Sequence, residues 1–319
     1  MMKSINVDRD GERIDVFLFH SFPDLTRSRI KSLIKSQNIL LNNKPTKPSF
    51  ILKGNEEIQY NFESDSKKSF SEIKAENLDI NIIYEDNDII ILDKDPGMVV
   101  HPGAGNYSGT ILNGLINKID YSQFESNPGI VHRLDKETSG VMIVAKNFKT
   151  HAFLSKQFES REVKKIYRAI VWGKCNESGI IEGNIIRNDR NRKSFILSKS
   201  AKGRYSKTRY KLIKQYGPLS YLEIMPSTGR THQIRVHMKS IGHPIIFDDV
   251  YGGGIKMIKS FHVKYTKLLK SIFKSMDRVA LHAKSIKFLH PNKDIVEYDT
   301  PIPDDFKKVL NLVKSNESL

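Results

Sequence analysis

The chain has 319 residues and a formal charge of +16, from 52 Lys and Arg against 36 Asp and Glu. That length fits one large core plus a smaller module, and the basic surplus points to a polyanionic partner while saying nothing of fold. The single cysteine, Cys175, excludes an internal disulfide and a cysteine-based zinc site, and no apolar run approaches the roughly 20 residues that cross a bilayer.

Met1-Met2-Lys3-Ser4-Ile5 leads straight into charged residues and does not read as a signal peptide, so a cytoplasmic chain without membrane attachment is expected. A first module is expected over residues 1–62. The charge-mixed stretch that follows, Glu63-Ser64-Asp65-Ser66-Lys67-Lys68-Ser69, lacks the apolar residues of a packed element and marks a linker at 63–75. Inside the module, Ile30, Leu33 and Ile34 give a helix one apolar stripe, while Arg27, Lys31 and Lys35 recur every four residues on another face. Between Asp24 and Glu56 there are seven Lys or Arg, Arg29 among them, and no carboxylate. With no nearby acid to neutralise them, these residues are read as a nucleic-acid contact in preference to an ordinary solvated face.

From Leu78 the texture changes to short β-branched runs divided by turn residues, at 80–84, 89–92, 140–145, 165–172, 208–213 and 220–224. Helical patterns are fewer, at 149–161, 231–241 and 265–276. Strands with scattered helices, lacking regular alternation, predict an α+β domain over 76–312 built on a mixed, largely antiparallel sheet, with a tail at 313–319.

Two segments can carry chemistry. The first is Gly129-Ile130-Val131-His132-Arg133-Leu134-Asp135-Lys136-Glu137-Thr138-Ser139-Gly140, which sets an acid in a polar connection directly before a strand. Local chemistry divides evenly between a functional Asp135 and an Arg133–Asp135 turn that caps the strand. The second is Ser227-Thr228-Gly229-Arg230-Thr231-His232-Gln233-Ile234-Arg235-Val236-His237, where Gly229 ends a loop and Thr231 starts a helix that puts His232 and Arg235 on one face. No carboxylate occurs from Ile224 through Phe247, so an acid paired with Arg230 or Arg235 must come from elsewhere, and Asp135 is the natural candidate. A metal site is not expected: His232 and His237 diverge by about 140 degrees on a helix, and no cysteine or acid lies near them. The sequence also lacks a nucleophile elbow, a P-loop and a dinucleotide glycine fingerprint, so no nucleotide cofactor is expected.

The order of the segments 129–140, 164–169, 228–237, His243-Pro244, Tyr251-Gly252-Gly253 and Leu281-His282-Ala283 resembles that of the RluA/RluD family of RNA pseudouridine synthases. The run from Pro96 to Asn106 and the long stretch after Tyr251 are most similar to the RluD branch. Arg13-Ile14-Asp15, Thr26-Arg27-Ser28-Arg29 and the run from Asn38 to Lys44 resemble the S4 RNA-binding module, with Gln37-Asn38 where that motif usually has a glycine.

The resemblance implies an isomerase acting on uridines of large-subunit (23S) ribosomal RNA, without cofactor and as a monomer. Asp135 would be the catalytic carboxylate, Arg235 its ionic partner and Tyr167 the ring that stacks on the uracil. Arg133 would fill the gap left by the flipped base. His132, Arg230 and His232 join the RNA-contacting set, as do Arg27, Arg29, Lys31 and Lys35 of the first module. Phe247 stands where the family usually has glycine and Asp249 where proline is common, which bears on a turn.

Two further regions read as RNA surface. Residues 187–214 carry eleven basic residues against Asp189 alone, interleaved with Phe195, Tyr205 and Tyr210. In 265–276, Tyr265, Leu268, Leu269, Ile272, Phe273 and Met276 form an apolar stripe with Lys264, Lys267, Lys270 and Lys274 outward. Two other readings stay open on sequence grounds: the same chemistry on transfer RNA, and a ribosome-assembly protein that binds RNA without catalysis.

Overall fold

The computed structural model describes residues 2–316 apart from 9, 23, 24, 26, 62–72, 104, 122, 123, 125–127, 192 and 199, with the backbone alone at Arg27 and Ser28. Most of the expected linker, positions 63–72, and the end of the expected tail, 317–319, therefore lie outside the described residues. Two compact units are present, Met1–Lys74 with Ser122–Pro128, and Ala75–Tyr121 with Gly129–Leu319.

The first unit contains β1 (Lys3–Asn6), β2 (Asp10–Arg13), α1 (Ile14–Ser21), α2 (Arg27–Lys35), β3 (Ile39–Leu41), β4 (Ile51–Lys53) and β5 (Glu57–Tyr60). Strands β1, β5 and β3 form one antiparallel sheet and β2 pairs with β4. The apolar stripe of α2 does what its spacing requires: Ile30, Leu33 and Ile34 are buried with Ile14, Leu18, Ile39, Leu52 and Ile58.

Its basic face needs a correction. Asp15, fully buried and upstream of the acid-free stretch, takes the Arg13 guanidinium at 2.9 and 3.3 Å and Lys31 Nζ at 3.5 Å. A buried carboxylate has to be paired, so part of the charge of Lys31 is spent inside the unit. Arg29 and Lys35 are exposed. The Arg27 side chain lies outside the described residues.

The second unit is built on β6 (Ile82–Glu85), β7 (Ile89–Lys94), α3 (Ile111–Leu115), β8 (Ser139–Ala145), α4 (Phe148–Glu159), β9 (Lys164–Trp172), β10 (Ser178–Arg187), β11 (Phe195–Ser198), β12 (Arg204–Tyr216), β13 (Leu219–Pro226), α5 (Gln233–Ser240), α6 (Thr266–Ile272), β14 (Leu281–Leu289), β15 (Ile295–Asp299) and α7 (Asp304–Lys314). Its ten-stranded sheet runs β11-β10-β12-β13-β9-β14-β8-β7-β6, with β15 also on β14. All pairs are antiparallel but one, β14 with β8, where His282 faces Ser139 and Ala283 faces Gly140. At that crossing a Cβ on Gly140 would lie 2.2 Å from the Ala283 carbonyl oxygen, so only glycine lets the two strands meet there.

The core lies against the middle of this sheet, where Ala169, Val171, Trp172, Leu222 and Ile224 pack with Ile245, Ile246, Leu269, Ile272, Phe306 and Val309. The 265–276 pattern is a shorter helix than its periodicity predicts, entered through a 3-10 turn at Val263–Tyr265, and Leu269 and Ile272 are its buried anchors. α7 continues two residues into the expected tail and buries Val313.

The connection before β8 is held from two sides. The Asp135 carbonyl accepts the Thr138 N–H at 3.0 Å, closing a tight turn, and the Lys136 carbonyl accepts the Gly97 N–H at 2.8 Å. Lys94, 1 % exposed, donates from Nζ to the carbonyls of Asp95, Met98 and Lys136 at 2.7, 2.9 and 3.1 Å. Arg278, itself bidentate on Asp305 at 2.6 and 2.9 Å, reaches the Glu137 carbonyl at 3.4 Å. Lys94→Met is expected to remove the three hydrogen bonds that this buried ammonium makes to the connection and to lower stability by about 2–3 kcal/mol, measured by denaturant unfolding.

Candidate active site

The residues singled out before β8, on β9 and around the start of α5 meet in one cavity of about 360 Å³. Asp135, Tyr167 and Arg235 all line it, as do Arg133, His132, Arg230 and His232. Asp135 precedes β8 and Tyr167 lies on β9, so the two flank β14, which runs between those strands. Tyr167 faces Ile224 of β13 and Ala283 of β14 in register. Burial, followed by the charge of Asp135, raises its pKa above the usual phenol range, so Tyr167 is a neutral hydrogen-bond donor across the working pH range.

Asp135 is 23 % exposed and accepts from Arg235 Nη1 at 3.4 Å. That bond is the weaker of two. Arg235 donates through Nε and Nη2 to the two carboxylate oxygens of Asp248 at 2.7 and 2.8 Å, and Asp248 is 1 % exposed. A forked pair of this kind fixes the guanidinium plane, leaving Nη1 as the one nitrogen turned to Asp135. The carboxylate-free window that contains Arg235 ends at Phe247, and Asp248 is the next residue. Asp248 also caps the 3-10 turn Asp249–Tyr251 by accepting the Tyr251 N–H.

Tyr251 ties this group together. Its ring lies 4.9 Å under the Arg235 guanidinium, and its hydroxyl accepts the Phe195 N–H at 3.0 Å and sits 2.9 Å from His232 Nδ1. The Tyr251 hydroxyl thereby holds the His232 ring on one side and the start of β11 on the other. Burial holds the ring below its usual pKa range, in keeping with a neutral imidazole. His232 is not inside the helix as its spacing predicts: it has φ 55°, in the left-handed region, and α5 starts at Gln233. Gln233 fixes the preceding loop by accepting from Thr228 Oγ1 at 2.6 Å and Arg230 N–H at 3.0 Å while donating to the Lys207 carbonyl and Thr208 Oγ1 at 3.0 Å each.

His132 belongs to the scaffold. Its ring stacks on Phe158 at 4.9 Å and its Nε2 accepts the Ile143 N–H at 3.0 Å. Burial, with Lys165 nearby, pushes its pKa down to about 3. His132 thus enters the cavity wall as a neutral ring whose Nε2 is engaged by a strand amide. His237, fully buried, pairs through Nε2 with Ser206 Oγ at 2.8 Å, away from His232. Arg133 is exposed, with no hydrogen bond or ion pair among the described residues. Arg230 donates from Nε to the Tyr205 carbonyl at 3.1 Å, and burial, with Arg204 and Arg161 close by, lowers its pKa.

Phe247 has φ 67°, the backbone region that favours glycine, and its ring lies 4.5 Å from that of Phe273. The turn therefore keeps a left-handed residue there, with the aromatic contact offsetting the strain.

Comparison with known proteins adds the following. A family model described as RNA pseudouridylate synthase matches residues 88–240, and one described as S4 domain matches 12–58. An uncharacterized RNA pseudouridine synthase of Chlorobaculum parvum is 36 % identical, over 95 % of this chain and 94 % of its own. Ribosomal large subunit pseudouridine synthase D of Haemophilus influenzae is 35 % identical, over 98 % of this chain and 94 % of its own. Among solved structures, human RNA Pseudouridylate Synthase Domain Containing 4 matches with a TM-score of 0.58 at 23 % identity, over 73 % of this chain and 93 % of that one, a likeness of fold.

Proposed function

Because the chain belongs to the family of RNA pseudouridine synthases, we propose that it isomerises uridines of large-subunit ribosomal RNA to pseudouridine, with Asp135 acting on the ribose. The observation that carries this reading is the convergence of Asp135, Arg235 and Tyr167 on one cavity, with Asp135 held 3.4 Å from Arg235. The cavity volume of about 360 Å³ falls in the range of small-ligand pockets and suits one everted nucleoside.

The reaction breaks the N-glycosidic bond, turns the uracil in place and rejoins it to the ribose through carbon 5, without redox change or hydrolysis. A stacked base is out of reach, so the uridine is flipped out, and Arg133, exposed at the cavity, would occupy the gap. Two routes fit the carboxylate: attack of Asp135 on carbon 1 of the ribose, or removal of the carbon 2 proton to give a glycal. In either, Arg235 favours the ionised form of Asp135. Tyr167 stacks on the detached uracil, and its un-ionised hydroxyl can pass on the carbon 5 proton.

The chain binds RNA, in keeping with the S4 match at 12–58. Within our reading, module 1–62 contributes Arg29 and Lys35 to that contact, and 76–312 carries catalysis as a cytoplasmic monomer with no metal or nucleotide cofactor. No helix among the described residues is long and apolar enough to cross a membrane.

Pseudouridine maps of ribosomal and transfer RNA, by carbodiimide adduct and primer extension, test the substrate. Cells lacking the protein are expected to lose discrete sites in large-subunit ribosomal RNA and none in transfer RNA. Loss confined to transfer RNA would overturn the assignment.

A further inference from the structure

Lys165 is an enclosed cation of the cavity whose charge the reaction as described leaves unused. It lies on β9 two residues before Tyr167, and the cavity is lined by both. Its side chain is mostly buried, yet among the described residues no carboxylate, hydroxyl or carbonyl meets Nζ. The contact it makes is with the Phe158 ring, 5.8 Å away. Lys94, the other enclosed lysine near the site, shows what a structural ammonium looks like, with three carbonyls on Nζ. Lys165 has none of these. An ammonium withdrawn from water without acceptors carries a desolvation cost, and burial pulls its pKa down to about 8.

The opposite wall supplies the second observation. A Cβ built on Gly229 would have a single atom within 4 Å, and that atom is Lys165 Nζ at 3.8 Å. Gly229 has no left-handed φ, so the backbone does not require glycine there. Its missing side chain leaves room beside the ammonium. The groups around that room are mainly cationic: Arg161 and Arg230 line the same cavity, against Glu159.

We propose that Lys165 binds the RNA backbone phosphate adjoining the flipped uridine, in the space that Gly229 leaves open. This rests on the assignment of the cavity as the pseudouridine site. A phosphate oxygen supplies the acceptor the ammonium lacks, and a phosphate beside the everted nucleotide positions the ribose over Asp135. Binding of the nucleotide thereby pairs a buried cation and fixes the sugar in one step.

The test uses the full chain and an RNA hairpin carrying 5-tritiated uridine at a mapped site, with tritium release and binding measured across a salt series. Lys165→Met is expected to raise Kd about 10- to 100-fold and to make the plot of log Kd against log salt shallower by about 0.7–0.9, the share of one phosphate. Lys165→Arg should keep the wild-type slope. Gly229→Ala, on an exposed loop, should weaken binding with Lys165 intact. The thermal midpoint of Lys165→Met should equal or exceed that of wild type, because an unpaired buried charge is removed. An unchanged salt slope in Lys165→Met, with the loss confined to kcat, would mean that Lys165 meets the uracil and would overturn the proposal. Wild-type binding by Gly229→Ala would equally count against it. Absence of tritium release by the wild-type chain would instead refute the assignment of the site.

Discussion

Asp135→Asn is expected to lower pseudouridine formation by at least about 10⁴-fold, the scale on which removal of a covalently acting group is felt, with RNA affinity and stability nearly unchanged. The asymmetry follows from how the residue is built in. What the turn needs from position 135 is its main-chain carbonyl, which accepts the Thr138 N–H, and asparagine supplies the same carbonyl. The side chain makes one long bond, to Arg235 Nη1 at 3.4 Å, which an amide oxygen can also accept. Only the carboxylate's capacity to attack carbon 1 or take the carbon 2 proton is lost. Tritium release, filter binding and near-ultraviolet circular dichroism on the same preparation separate the three quantities. Turnover within ten-fold of wild type would remove Asp135 from the chemistry.

Arg235→Met is expected to damage both fold and rate, and for different reasons. Asp248 is 1 % exposed and gives both its oxygens to Arg235, so removing the arginine leaves a buried carboxylate unpaired, at about 3–5 kcal/mol. The rate should fall on the order of 100-fold, because Asp135 loses the group that holds it in position. The double variant Arg235→Met with Asp248→Asn separates the two effects. It removes the stranded charge, so stability should return most of the way towards wild type while activity stays at the level of the single variant. A double variant that regained activity with stability would show that Arg235 acts through the fold alone.

Features that depend on near neighbours in the chain were the legible ones. The apolar stripe of α2 was visible because a helix brings i, i+3 and i+4 together whatever surrounds it, and the β-branched runs located six strands of the large sheet. The two segments that carry Asp135 and Arg235 stood out by composition. Ion pairing was misread for a physical reason: a carboxylate-free window predicts free cations only if partners are close in sequence. Asp15 lies upstream of one such window and Asp248 just downstream of the other, and each took a cation from within it. β10 was missed because Gly179 and Gly183 punctuate it like turns. A Cβ on Gly179 would meet the Tyr210 ring at 2.6 Å, so that glycine serves the packing of the neighbouring strand. Lys165 gave no signal at all in the sequence, since an ammonium without an acceptor can be recognised only when everything around it is placed.

The position of β14 bears on when the molecule becomes competent during its own synthesis. β8 and β9 are made well before Leu281–Leu289, but they are neighbours only through that strand. A nascent chain ending before it holds Asp135 and Tyr167 on two sheet fragments with no shared strand, and long-range pairings of this kind form late. The site thus closes only once β14 has been made and paired, so a growing polypeptide that lacks this strand carries Asp135 and Tyr167 without the frame that brings them to one cavity.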